Sequence, residues 1–203
     1  MSLVGTVKVA SNAIITLTTL ACVVALAISI YPGVLNDLLF IGILLSLLIV
    51  PVVGIFGGIV LVVVACKGKF RGLQIPWMQV AVVCAILFGT YVLLKFYIPR
   101  RIAFAASRAA FEQMVSQATP SERQGTPLNR RLGVYKVDEY AADPRGGVYF
   151  RVYSGGDGIG PDQMSYGFAY RPNQKGTPFG AARYRLFRLG NDWYWFRASD
   201  DWY

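Results

Sequence analysis

The chain has 203 residues, 55% of them apolar, with a formal charge of +9 and no histidine. Such a composition is too apolar for an ordinary soluble domain and too charged for a protein confined to hydrocarbon. The absence of histidine also removes the commonest general base and the commonest metal ligand together.

The charges are segregated. Asp37 is the only acid before Arg100, and between residues 13 and 98 the basic residues are Lys67, Lys69, Arg71 and Lys95 alone. A chain that empties its first half of ions avoids the cost of placing them in hydrocarbon. The expected organisation is a transmembrane domain over residues 1–99 and a soluble α+β domain over residues 100–203. Cys22, Cys66 and Cys84 lie in or at the edge of apolar segments and read as small buried hydrophobes, which excludes a soluble domain stapled by disulfides.

Three apolar runs read as transmembrane helices, at about residues 13–31, 38–66 and 77–98. The first ends at Tyr31-Pro32-Gly33. Its Ala25-Leu26-Ala27 has the small-x-small form of a signal-peptide cleavage site, but apolar character continues past it and a retained span is preferred to loss of residues 1–27. The second run is longer than a straight crossing of a ~30 Å core requires. Pro51, Gly54, Gly57 and Gly58 at its centre favour a kinked helix over a re-entrant hairpin. The Gly54 and Gly58 spacing would also let the helix of a second copy approach closely, giving a homo-oligomer. Lys67 to Arg71 forms a short basic loop that belongs on the cytoplasmic side, so the third span delivers the C-terminal domain to the extracytoplasmic face of a cell membrane. Arg100, Arg101 and Arg108 oppose that orientation. No Asp, Glu or His lies at depth in any run, which weighs against a transporter.

Residues 102–118 read as an amphipathic helix in which Phe104, Phe111, Met114 and Val115 recur at helical spacing. Thr119-Pro120 stops it, and a polar connector runs to Asn129. Strand-like runs follow at residues 132–140, 148–153, 164–170, 183–189 and 193–198, the last two joined by the hairpin signal Gly190-Asn191-Asp192. One helix and about five short strands predict an antiparallel sheet with the helix across one face. Alternation in the second strand sets Val148, Phe150 and Val152 beneath the helix and Tyr149, Arg151 and Tyr153 on the solvent face.

No catalytic, cofactor-binding or metal-ligating set can be named. The glycine-rich stretch from Ser154 to Asp162 lacks both the lysine and the following helix of a phosphate loop, and offers only Asp157 and Asp162 to a calcium ion. The remaining signal is arginine interleaved with tyrosine along the strands, of which Arg151, Arg185, Tyr149 and Tyr153 form the expected anion- or partner-binding face. The expected protein is therefore non-enzymatic, an integral membrane protein that displays a basic, aromatic-rich domain at the bilayer surface. Its partners would be a protein, a lipid headgroup or another anionic ligand, with no nucleic acid and no cofactor. The alternative is an accessory subunit of a membrane complex that acts through its transmembrane helices.

Overall fold

The computed structural model describes residues 3–34, 77–117, 125–156 and 163–200. Among them are three helices, α1 (Leu3–Ile28), α2 (Trp77–Lys95) and α3 (Ile98–Gln117), followed by six strands. The strands are β1 (Thr126–Leu132), β2 (Tyr135–Ala142), β3 (Val148–Gly156), β4 (Gln163–Tyr170), β5 (Ala182–Gly190) and β6 (Trp193–Ser199). They form one antiparallel sheet in the order β1-β2-β3-β4-β6-β5. The chain divides into two compact units, and the last turns of α1 and α2 belong to the same unit as α3 and the sheet.

The expectation of three transmembrane helices and a five-stranded domain is overturned. Among the described residues only Met78–Lys95 is a helix both long and apolar enough to cross a membrane, and the apolar stretch of α1 is the shorter Asn12–Ile28. Thr6, Lys8 and Ser11 dilute the first half of α1, and beyond Ile28 the chain leaves the helix to pack against the sheet. The run at 38–66, with Gly54 and Gly58, and the basic loop at 67–71 lie outside the described residues. The third run also ends early: α2 stops at Lys95, and Tyr97 takes a left-handed backbone (φ 54°) before Pro99 opens α3. Proline suits the first turn of a helix because the N–H that it lacks would have no partner there.

The sixth strand is β1, drawn from residues assigned by sequence to a connector. It lies at the edge of the sheet, where strand side chains need not alternate, and Pro127 is tolerated because an edge strand has one unpaired side. The turn into β2 is pressed against α3. Gly133 has φ +60°, and a Cβ there would strike Ser107, whose hydroxyl accepts a hydrogen bond from the Val134 amide at 3.1 Å.

The sheet is buried on both faces. On the near face Phe104 and Phe111 of α3 pack against Leu132, Tyr135, Val137, Phe150, Val152, Phe168, Trp193 and Trp195. On the far face Ala141, Ala169 and Ala198 leave room for Tyr149, Phe179 and Phe196, with Tyr184 and Leu186 at the margin. Phe179 comes from the connector between β4 and β5, which closes over this face as the helix closes over the other.

Phe111 is wholly buried and its ring meets those of Phe104, Tyr135, Phe150, Phe168 and Trp193. Phe111→Ala should lower the stability of the sheet domain by about 3–5 kcal/mol, with Phe111→Leu costing less than half of that. Denaturant unfolding of the full chain in detergent, followed by near-ultraviolet circular dichroism, measures both.

Candidate functional site

The four residues expected on one solvent face do not form one. Tyr149 is fully buried in the far-face core, where its hydroxyl lies 3.3 Å from the Gly176 carbonyl and accepts from the Asn173 amide at 2.9 Å. Arg151 is on that face as well. It is paired with Asp138 (2.9 Å) and Glu139 (2.8 Å), with its guanidinium 5.3 Å from the Phe179 ring centre. Tyr153 has changed face: β3 carries a bulge between Arg151 and Tyr153, after which Tyr153 stands opposite Tyr166 of β4. One extra residue on one strand reverses the alternation beyond it.

The bulge creates a row that crosses the near face. Tyr153 pairs with Tyr166, Tyr166 with Arg197, and Arg197 with Arg185. Directly opposed residues of antiparallel strands share a face with Cβ atoms about 5 Å apart. The next row inward is Phe168, Trp195 and Phe187, in which the last two rings are stacked at 3.9 Å. At the tyrosine end the row is covered by the chain leaving α1. Gly33, at φ +93°, lies so close to the Tyr153 and Tyr166 rings that any Cβ would strike both. Arg185, at the other end, is exposed.

Arg100, from the first turn of α3, reaches into this region. It is only 5% exposed, with its guanidinium 4.3 Å from the Trp195 ring centre and 5.2 Å from that of Tyr97. Nη2 donates to the Ser29 carbonyl at 3.3 Å, just past the end of α1, where the helix dipole is negative. Burial pulls the pKa of Arg100 from the ordinary arginine value down to about 10, partly opposed by the phenols of Tyr135, Tyr97 and Tyr166. The side chain is therefore charged at neutral pH, and the net penalty for holding that charge in the fold is about 3 kcal/mol. Folded and unfolded forms are both protonated there, so this cost is independent of pH until pH nears 10. Nε and Nη1 have no hydrogen-bond acceptor, and the same is true of the buried Nε of Arg197. Ring faces offset the charge, but they do not accept N–H bonds that lie in the guanidinium plane.

The described acids are committed elsewhere. Glu112 pairs with Arg108, Asp138 and Glu139 with Arg151, Asp143 with Arg145, and Asp192 with Arg171. The carboxylate of Asp200 accepts from the Gln163 amide. Among the described residues no carboxylate pairs with Arg100, Arg185 or Arg197, and no three His, Cys, Asp or Glu side chains come together as metal ligands. Of the four residues expected on one face, the structure brings Arg185 and Tyr153 to the near-face row, beside Tyr166 and Arg197, and leaves Tyr149 and Arg151 on the far face. Arg100 offered one signal, a charge three residues after an aromatic residue and next to a proline at a helix start.

The far face is fastened by a polar network around Asp143. Burial alone would raise its carboxyl, but hydrogen bonds from Arg145 and Asn173 outweigh burial and hold it below its ordinary value of 3.8. A depressed carboxyl contributes stability above its unfolded pKa and loses it as pH falls through the folded one. Asp143→Asn should therefore cost about 1–2 kcal/mol at pH 7 through the lost charge-assisted bonds. The gap to the wild type should begin to narrow as pH falls below the ordinary carboxyl value of 3.8 and close once pH has fallen through the lower folded value, where the wild-type carboxyl is itself protonated. Urea unfolding of both proteins across this range measures it.

Comparison of the chain with protein-family models, with curated proteins and with solved structures finds no match.

Proposed function

We propose that the chain is a non-enzymatic membrane protein whose α2 crosses a bilayer and whose sheet domain is held at the bilayer surface to bind an anionic partner. The observation that carries this reading is the way the chain passes from its apolar helices into the domain. Pro32 is fully buried, and Tyr31 donates to the Val134 carbonyl (2.8 Å) and accepts from the Lys136 amide (3.3 Å). Tyr97 packs edge-on against Trp195 and Phe187. Both connections are thus structural parts of the domain, and neither is a free linker. Within α2 the side chains of Met78, Leu87, Phe88 and Tyr91 are more than half exposed, as suits a helix surrounded by lipid.

The near face supplies the binding chemistry. Guanidinium groups without carboxylate partners, beside aromatic walls and phenolic hydroxyls, suit an anion that brings several acceptor oxygens.

The basic loop at Lys67 to Arg71 belongs in the cytoplasm, and one crossing by α2 then places the sheet domain on the extracytoplasmic side. A reporter that works only outside the cytoplasm, fused after Tyr203, should be active. A silent fusion that is stably expressed and fractionates with membranes would reverse the orientation, and recovery of the intact chain in the soluble fraction would overturn the membrane reading.

A further inference from the structure

The near-face row contains more positive charge than the domain neutralises, and it contains it in a specific form. Arg100 is almost fully buried with Nε and Nη1 unpartnered, Arg197 has a buried and unpartnered Nε, and Arg185 stands directly across from Arg197 at the exposed end of the row. Tyr166 links the two sides. It is opposed to Arg197 across the β4–β6 pair, and its phenol is among the groups acting electrostatically on Arg100.

Buried N–H groups are almost always satisfied in folded proteins, and each one left without an acceptor costs free energy. A water molecule could satisfy such groups but would leave the charge unneutralised. An anion with several oxygens does both. The described carboxylates are taken up by other residues, so none of them supplies that anion.

We propose that Arg100, Arg197 and Arg185, with Tyr166 beside them, form a binding site for a phosphate group, open at the Arg185 end. The tetrahedral phosphate accepts from several directions at once, which suits donors arriving from α3, β5 and β6 that do not share a plane. The site lies beside Ser29 and Tyr97, where the chain leaves its apolar helices, so a lipid headgroup and a soluble phosphate are the two sources to be told apart. This inference rests on the reading of the domain as an anion-binding module, but it does not depend on which way the domain faces.

The test uses the full chain in maltoside micelles, with no phosphate in detergent or buffer. Isothermal titration calorimetry is run with inorganic phosphate and with dihexanoyl phosphatidic acid. Saturable binding is expected, weakened at least tenfold by Arg197→Gln and by Arg185→Gln, and unchanged by Arg151→Gln on the far face. Arg197 and Arg185 are chosen because Arg100 variants risk unfolding. Bound ligand should also raise the thermal midpoint of the wild type. Binding of phosphatidic acid alone would assign the site to a lipid headgroup, and equal binding of both would assign it to the phosphate group itself. Three results would each overturn the proposal: no saturable heat from either probe with folded protein, wild-type binding by both near-face variants, or an equal loss in Arg151→Gln. The reporter fused after Tyr203 is read separately, so a failure here with an active reporter removes the site and leaves the membrane reading in place.

Discussion

Arg100 enters the domain at the start of α3, and the surrounding structure is arranged so that its charge survives out of water. Desolvation is the largest influence on it, and what opposes desolvation comes from three directions. The rings of Trp195 and Tyr97 offer their electron-rich faces, the Ser29 carbonyl offers an oxygen at the negative end of α1, and Tyr135 binds the backbone beside both. The Tyr135 hydroxyl lies 3.4 Å from the carbonyl oxygens of Ile30 and of Arg100, and burial holds its pKa well above the ordinary tyrosine value, so it stays a donor. Lysine could not replace the arginine. A compact, strongly hydrated ammonium would lose more on burial and would not lie flat against Trp195.

This arrangement explains why two short connections are structural. Tyr97 must turn through a left-handed conformation for its ring to reach Trp195, and Gly33 must lack a side chain for the chain after α1 to lie on Tyr153 and Tyr166. A non-glycine residue with positive φ is costly unless its surroundings hold it, and here two ring contacts do so. The ends of α1 and α2 are therefore fixed within the same compact unit as the sheet.

Much of the sheet domain was legible. The period of Phe104 and Phe111, the alternation around Phe150 and the Gly190-Asn191-Asp192 turn each reflect local backbone physics, and each corresponds to an observed element. Three features were not legible, for three different reasons. β1 shows no alternation because, at the edge of the sheet, it has little to bury. Tyr149 reads as outward-facing by period, and only the return of Phe179 from a distant connector covers it. The exchange of faces at Tyr153 depends on a bulge, which has no signature in a stretch without glycine or proline. The candidate site was not legible for a further reason. Its members come from α3, β4, β5 and β6, and no pattern within one element brings them together.

The opposition of Arg185 and Arg197 needs care, because two like charges facing each other could be an accident of packing. On β5, Phe187 stacks on Trp195 of the near face, while Leu186 packs at the far-face core. A slip of one residue would exchange those faces and break the Phe187–Trp195 stack, so this packing sets the register and the arginine pair follows from it. Repulsion between opposed like charges is roughly 0.2–1 kcal/mol, small beside what large apolar side chains contribute when buried. The fold can therefore tolerate the pair without any ligand. The unpartnered Nε of Arg197 and the nearly buried Arg100 differ in kind, because apolar register does not force a guanidinium to lose water without gaining an acceptor. The case for a bound anion stands on those two groups, and Arg185 supplies its open, exposed edge.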